Sequence, residues 1–365
     1  MIGDDGVTIK SIKVRKYWEA VFEKEEISIP STIDGHKVVA VEGLSTNAQY
    51  GDNIKIINIP STVKTINTNN LEGRSSLTKI VVDGQNEVYA SYDGALYNKT
   101  RTVLYFVPRA IKEVTLASSL KEIDNSAFRD CRYITRVTIP AAMTKFDNIQ
   151  GGLFYGCTNL NTINVESGNK RLFSHNGVLY EHEHLNNGPG INFFDPDTWE
   201  YYNTKSRLIM IPYAKTSLVI RADCNYVESY SCYYNSLKQI TVESGNSYVT
   251  VYDSVVYMEF GSEWDIQCFP GGKSEVNLMD GITSVTGELY GSDALVKIVI
   301  PDSVTAIDNY KLRTSPVLRS INIPAGVTSI GTGVLENAPN VTATVVKGTY
   351  GEEWCKNNNI KYIYG

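Results

Sequence analysis

VTLASSLKEIDNSAFRDCRYI, residues 114–134, is followed two positions later by VTIPAAMTKFDNIQGGLFYGCTNL, residues 137–160. The second line repeats the first. Val114, Leu116, Leu120 and Ile123 return as Val137, Ile139, Met143 and Phe146, each 23 positions on. After an insertion of three residues, Phe128, Cys131 and Ile134 return as Phe154, Cys157 and Leu160, each 26 positions on. Ile163 and Val165 begin a third pass. Self-similarity at a fixed period of this size predicts a solenoid, because one unit cannot bury its own apolar side and needs a stacked neighbour to do so.

The same phrase spreads in both directions. IINIPSTVKTI (56–66), IVIPDSVTAI (298–307) and INIPAGVTSI (321–330) each read as a short strand, a proline and two further apolar positions. Proline cannot donate to a sheet ladder, so it belongs where the strand ends and the chain turns. A longer element is interleaved with these. GQNEVYASYDGALYNKTRTVLYFVP (84–108) matches SGNKRLFSHNGVLY (167–180) with its delayed ending KSRLIMIP (205–212). It matches SGNSYVTVYDSVVYMEF (244–260) with ending IQCFP (266–270) as well. The pairs Asp93-Gly94, Asn176-Gly177 and Asp253-Ser254 favour tight turns, which predicts β-hairpins built into the array. Asn86, Asn169 and Asn246 hold the same place in the three copies.

The expected fold class is mostly β: a leucine-rich-repeat solenoid of short stacked strands with interleaved hairpins, a period of about 23 residues, and caps at both ends. We expect one solenoid over 1–365, with an N-terminal cap and first repeat in 1–53. Repeats and hairpins would fill 54–340, interrupted by an insert at 181–203, and a C-terminal cap would occupy 341–365. Val7/Ile9 and Ile27/Ile29 alternate on strand period in the first cap, and Val39/Val41 do so after the Asp34-Gly35 turn. VVKGTYGEEWCKNNNIKYIYG (345–365) reads as a strand, a short helix through Glu352–Lys356 and a final strand.

The 365 residues are 42% hydrophobic and carry a net charge of −6. That composition supports a continuous core and argues against a nucleic-acid partner, which needs a clustered basic face. No stretch reaches the roughly 18 apolar residues of a membrane-spanning helix. The start, Met1-Ile2-Gly3-Asp4-Asp5, has neither the basic nor the apolar segment of a signal peptide. Six cysteines in a chain of this length are no disulfide framework. Cys131 and Cys157 share a repeat position and are expected as stacked, buried thiols. Cys224 and Cys232 are close enough in sequence to pair, and spacing leaves their state open.

The repeat phrase, the cassette at 85–108 and the ending GTYGEEWCKNNNIKYIY together resemble the BspA-like leucine-rich repeat proteins of bacterial surfaces. The resemblance covers nearly the whole chain and weakens in 218–242 and 276–295. It implies a curved β-rich solenoid exported from the cell, its signal peptide already removed, and involved in adhesion or extracellular binding; it implies no particular ligand, and the partner expected here is a protein or glycan at the cell surface. It implies no cofactor, and a monomer is expected.

Within the chain, the insert EHEHLNNGPGINFFDPDTWEYYN (181–203) has no counterpart in the pattern. Phe193, Phe194, Trp199, Tyr201 and Tyr202 would form an aromatic recognition patch if exposed together, or pack the loop if not. His182 and His184 would face the same way on a strand, as metal-binding imidazoles can, but no third ligand is fixed, and a solvated hairpin tip is the plainer expectation. GGKS (271–274) is not a phosphate-binding loop, since Gln267 stands where that motif needs its first glycine. No nucleophile elbow, metalloprotease motif or dinucleotide turn is present, so the reading is a non-catalytic binding or adhesion protein. A glycan-binding or glycan-active protein and a structural spacer are the alternatives.

Overall fold

The computed structural model describes residues 2–3, 6–9, 25–42, 53–71, 75–143, 153–184, 201–232, 235–286, 294–312 and 316–365. The protein is mostly β, a leucine-rich-repeat solenoid with a period of about 22 residues. Its described residues divide into two compact units, one ending at Phe173 and one beginning at Ser174.

In the first unit, parallel strands Glu26–Ser28, Ile56–Ile59 and Lys79–Val82 form one ladder, and Glu113–Thr115, Arg136–Ile139 and Thr162–Val165 form another. The register puts Val114 beside Val137 and Val137 beside Ile163, as the repeat predicts. Alternation does the sorting: Ile57, Ile80, Val137 and Ile163 point inward and are buried. Each such side chain contributes roughly 1.5–3 kcal/mol when taken out of water. The prolines open tight turns, with the Val63, Met143, Val304 and Val327 amides donating to the carbonyls of Pro60, Pro140, Pro301 and Pro324. Phe128 and Phe154 stack at 4.9 Å between ring centroids on successive turns.

One expectation needs correcting. Val38 and Val41, not Val39 and Val41, are the buried pair of strand His36–Val41. The pairing with strand Gly6–Ile9 slips by one residue there, so a bulge at Val39 resets the alternation.

In the second unit, Glu275–Asn277, Lys297–Val299, Ser320–Ile323, Thr342–Val345 and Lys361–Tyr364 make a five-stranded parallel sheet. A parallel ladder of Ser284–Val285, Ala306–Ile307 and Ser329–Ile330 belongs to the same repeats. The terminal helix is longer than expected, Tyr350–Asn357. The Tyr364 hydroxyl donates to the Glu352 carboxylate at 2.8 Å, tying the last strand to that helix.

The hairpins form at the anticipated turns. Asp93 and Gly94 have φ of 46° and 81°, Asn176 and Gly177 have 51° and 76°, and Asp253 and Ser254 have 48° and 66°. Two successive positive φ values define the turn whose twist matches antiparallel strands. The recurring asparagines explain how each hairpin is held. Asn86 donates to the carbonyls of Pro60 and Val63 and accepts from the amides of Val88 and Tyr89, all at 2.8–2.9 Å. Asn169 makes the same four bonds with Pro140, Met143, Arg171 and Leu172. Asn246 makes them with Arg221, Cys224, Tyr248 and Val249. One side chain thus closes its own turn and fastens it to the previous one.

Cys131 and Cys157 are buried thiols on stacked turns, as expected. Cys232 is paired, but with Cys268 rather than Cys224, across a Cα–Cα distance of 5.5 Å. Cys224 remains a buried thiol at the start of strand Cys224–Val227.

Candidate binding site

The second hairpin departs from its relatives in length. Its strands, Val178–His184 and Tyr201–Met210, run past the repeat body, and Tyr201–Met210 pairs in parallel with Cys224–Val227. Near the turn the strands are apolar, with Leu179, Tyr180 and Leu208 fully buried. Further out the sequence changes to EHEH opposite KSR, so the same sheet ends in a charged platform.

Three linked sets of side chains make up that platform. Arg207 is ion-paired with Glu228, lies 4.0 Å from the buried Glu181 carboxylate and stacks 5.1 Å from the Tyr226 ring centroid. Arg221 grips Asp223 with two bonds, Nε to Oδ1 at 2.7 Å and Nη2 to Oδ2 at 2.8 Å, while Ser206 donates to the same carboxylate at 3.1 Å. His175 stands between Arg221 Nη1, 3.4 Å from its Nδ1, and Glu243 Oε1, 3.3 Å from its Nε2. Beyond these, Asn225 donates to Glu183 at 3.1 Å, and the Lys205 ammonium lies 5.4 Å from the Tyr248 ring centroid.

The electrostatics make this a place for holding rather than for proton transfer. The Arg221 guanidinium keeps Asp223 below the ordinary carboxylate range. A general acid of glycoside cleavage needs the opposite shift. Burial, and then the Arg221 charge, hold His182 below the ordinary imidazole range, so it is neutral at physiological pH. His175, which the sequence groups with His182 and His184, belongs instead to the Arg221–Glu243 set. Among the described residues, no three His, Cys, Asp or Glu side chains converge as metal ligands.

Phe193, Phe194 and Trp199 lie outside the described residues. His184, Tyr201 and Tyr202 are placed as strand backbone, His184 opposite Tyr201 and Glu183 opposite Tyr202, and their side chains are outside the described set. Arg207, Arg221, Asp223, Asn225 and Glu243 escaped notice in the sequence, because they reach the platform from three separate segments. The one available signal was the polar run Lys205-Ser206-Arg207 directly before the apolar run Leu208-Ile209-Met210.

A second concave feature lies in the first unit. The ladder of parallel strands breaks after Lys79–Val82, where the tip of the first hairpin wedges in: Gly94 accepts from the Ile80 amide at 2.8 Å and Asp93 from the Thr115 amide at 2.6 Å. An open groove of about 560 Å³ results, lined by Lys79, Ser91, Tyr92, Asp93 and Glu113 among others.

Comparison with known sequences decides the family. A model described as the BspA type leucine rich repeat region matches in six copies, over residues 22–108, 105–180 and 267–363. The chain belongs to the BspA-type leucine-rich repeat family. The match omits 181–266, which holds the insert, most of the platform and 218–242, one of the two stretches where the pattern weakens. No curated protein matches the chain. Among solved structures, a leucine rich cell surface protein of Faecalibacterium prausnitzii is 15% identical, with 100% of this chain and 92% of that chain covered at a TM-score of 0.47. The pneumococcal vaccine antigen PcpA is 15% identical over 98% and 83% of the two chains, TM-score 0.41. A leucine-rich repeat protein of Bacteroides ovatus is 16% identical over 100% and 97%, TM-score 0.29. No described helix of this BspA-type chain is long and apolar enough to cross a membrane.

Proposed function

We propose that this BspA-type chain is a non-catalytic extracellular binding protein that recognises a macromolecular partner, with the insert-bearing second hairpin as its recognition element. The observation that carries this reading is the platform. Where the other two hairpins close in a few residues, this one extends on an interlocked set of arginines, carboxylates and a histidine, and its two strands are the ones that the aromatic segment 193–202 joins in sequence. Aromatic side chains buried against a partner concentrate affinity. The Cys232–Cys268 bridge fits an oxidising, extracytoplasmic location. A monomer with a protein or glycan ligand follows from the same reading.

The test replaces residues 185–200 by Asn-Gly and compares this chain with the full one on immobilised matrix proteins and glycans, with circular dichroism as the folding control. Binding lost on deletion is the expected result. Binding that survives moves recognition to the repeat surface, with the groove beside Tyr92 as the next site to alter. A full chain that binds neither class at micromolar concentration overturns the reading in favour of a spacer.

A further inference from the structure

The three hairpins share their turns and differ in what reaches the tip. A proline ends each one, and the third residue after it donates its amide back to the proline carbonyl. Ile111 does so to Pro108 at 3.2 Å, Lys215 to Pro212 at 3.1 Å and Lys273 to Pro270 at 3.1 Å. That residue therefore holds one backbone place in all three copies. In two of them it is a lysine whose ammonium reaches the first residue of the hairpin turn. Lys215 Nζ donates to the Asn176 carbonyl oxygen at 2.6 Å. Lys273 Nζ donates to the Asp253 carbonyl oxygen at 3.0 Å and also to Oδ1 of the Asp253 carboxylate. In the first hairpin the residue is Ile111, which has no side-chain donor to offer.

The acceptors are kept without the lysine. Asp93 has the place of Asp253 and nearly its backbone angle, φ 46° against 48°. Its Oδ2 accepts from the Thr115 amide at 2.6 Å, as Asp253 Oδ2 does from the Asn277 amide. Its Oδ1 and main-chain oxygen, the pair that shares the ammonium in the third hairpin, accept from no donor among the described residues. Both belong to the residue at the mouth of the open groove of about 560 Å³, which Ile111 and Tyr92 also line. Glu113 brings a second exposed carboxylate to the same groove. Lys79 on the groove lining and Arg136 beside Glu113 in register are the nearest basic residues by position. Among the described residues, neither forms an ion pair with Asp93 or Glu113. The apolar parts of Tyr92 and Ile111 are surface of the kind that a lysine stem lies along.

We propose that the groove of the first hairpin takes a lysine side chain of a protein partner, its ammonium held by the main-chain oxygen and carboxylate of Asp93 as Lys273 is held by Asp253. The chain itself names the ligand chemistry, since the same turn carries a lysine in both other copies. An ammonium is a compact charge with three donors, which suits two acceptors on one residue. Glu113 adds a second negative charge, and the net charge of −6 favours approach of a basic partner. The proposal rests on the reading of the chain as a binding protein and not on the part given to the second hairpin. The groove contains none of residues 185–200, so the two readings fail separately.

The isotope-labelled full chain is titrated with a blocked Gly-Lys-Gly peptide, and the amide signals of Gly94 and Thr115 are followed by nuclear magnetic resonance. Saturable shifts at both amides are expected, in the millimolar range that suits one exposed charged contact. The same peptide with norleucine, which keeps the four carbons and lacks the ammonium, should shift neither. Methylammonium, which lacks the carbons, should bind several-fold more weakly. Ile111→Lys, which installs the lysine of the other two copies, should reproduce the Thr115 shift without peptide and abolish the response to it. Asp93→Asn, the residue type that the second hairpin carries at this place, should weaken binding about fivefold. An unsaturable response, an equal response to norleucine or an Ile111→Lys chain that still binds overturns the proposal. Methylammonium that binds as tightly as the peptide sinks the assignment to a lysine side chain. Should Ile111→Lys fail to fold, Asp93→Asn decides, and undiminished affinity there overturns the proposal as well.

Discussion

The first hairpin, Tyr89–Phe106, and the third, Val249–Cys268, follow one plan and are closed by different chemistry. Apart from Lys273, for which the first has Ile111, their polar fastenings agree residue for residue. Asn86 and Asn246 hold the entry turns, and the buried phenols of Tyr97 and Tyr257 accept from the amides of Ala117 and Met279 at 3.4 and 3.0 Å. Asp93 and Asp253 accept from the amides of Thr115 and Asn277, both at 2.6 Å. The closures differ. The first hairpin ends in Phe106 packed under Arg109, facing the Cys131 turn. The third ends in Cys268 bonded to Cys232, with Gly271 where the first has arginine. A Cβ at Gly271 would meet the Asn235 carbonyl oxygen at 2.2 Å, so no side chain fits there. Asn235, on the turn before the hairpin, accepts from the Gly271 amide at 2.9 Å. Directional bonds that link one turn to the next have few substitutes; apolar or covalent filling between them is exchangeable.

The comparison breaks hardest at the asparagines. Asn86→Ala strands two carbonyls and two amides in a site with no exposed surface and is expected to destabilise the first unit by about 3–5 kcal/mol in urea unfolding. Asn246→Ala, half-exposed, should cost the second unit less; equal losses would mean that burial does not set the difference. Next in size is the bridge. Cys232→Ala with Cys268→Ala, or reduction of the native chain, should lower the stability of the second unit by about 2–4 kcal/mol and leave the first unchanged, as read by hydrogen exchange.

Tyr97 sharpens the shared part of the plan through pH. Burial pushes its phenol up to about 12. The stabilising difference is therefore complete below about pH 10, where an unfolded phenol is still neutral, and is lost as pH rises from there towards 12, because the unfolded chain ionises first. Tyr97→Phe should flatten the alkaline fall in stability of the first unit while losing roughly 1 kcal/mol at neutral pH. The smallest effect lies at the turns. Ser254 holds a φ of 66° without being glycine, so Ser254→Gly should stabilise the third hairpin by up to about 1 kcal/mol. Gly94→Ser should do the reverse in the first, where a Cβ meets the Thr78 carbonyl oxygen at 3.2 Å.

Much of this was legible in the residues alone. The recurrence of Val114 at Val137 and Ile163 determined the stacking, since an apolar side chain on strand period has one inward direction and one neighbour to share it with. Asp93-Gly94 and Asn176-Gly177 determined the hairpins, because few residue pairs accept two positive φ angles. Tertiary structure alone decided what chemistry meets across the turns. Cys232 takes Cys268 rather than the nearer Cys224, Val38 replaces Val39 inside through a bulge, and Arg207, Arg221, Asp223 and Glu243 gather from separate segments beside the second hairpin. Local pattern reports how each residue faces its own strand. Which side chains share a charge, a proton or a bond depends on distances that only the packed turns set.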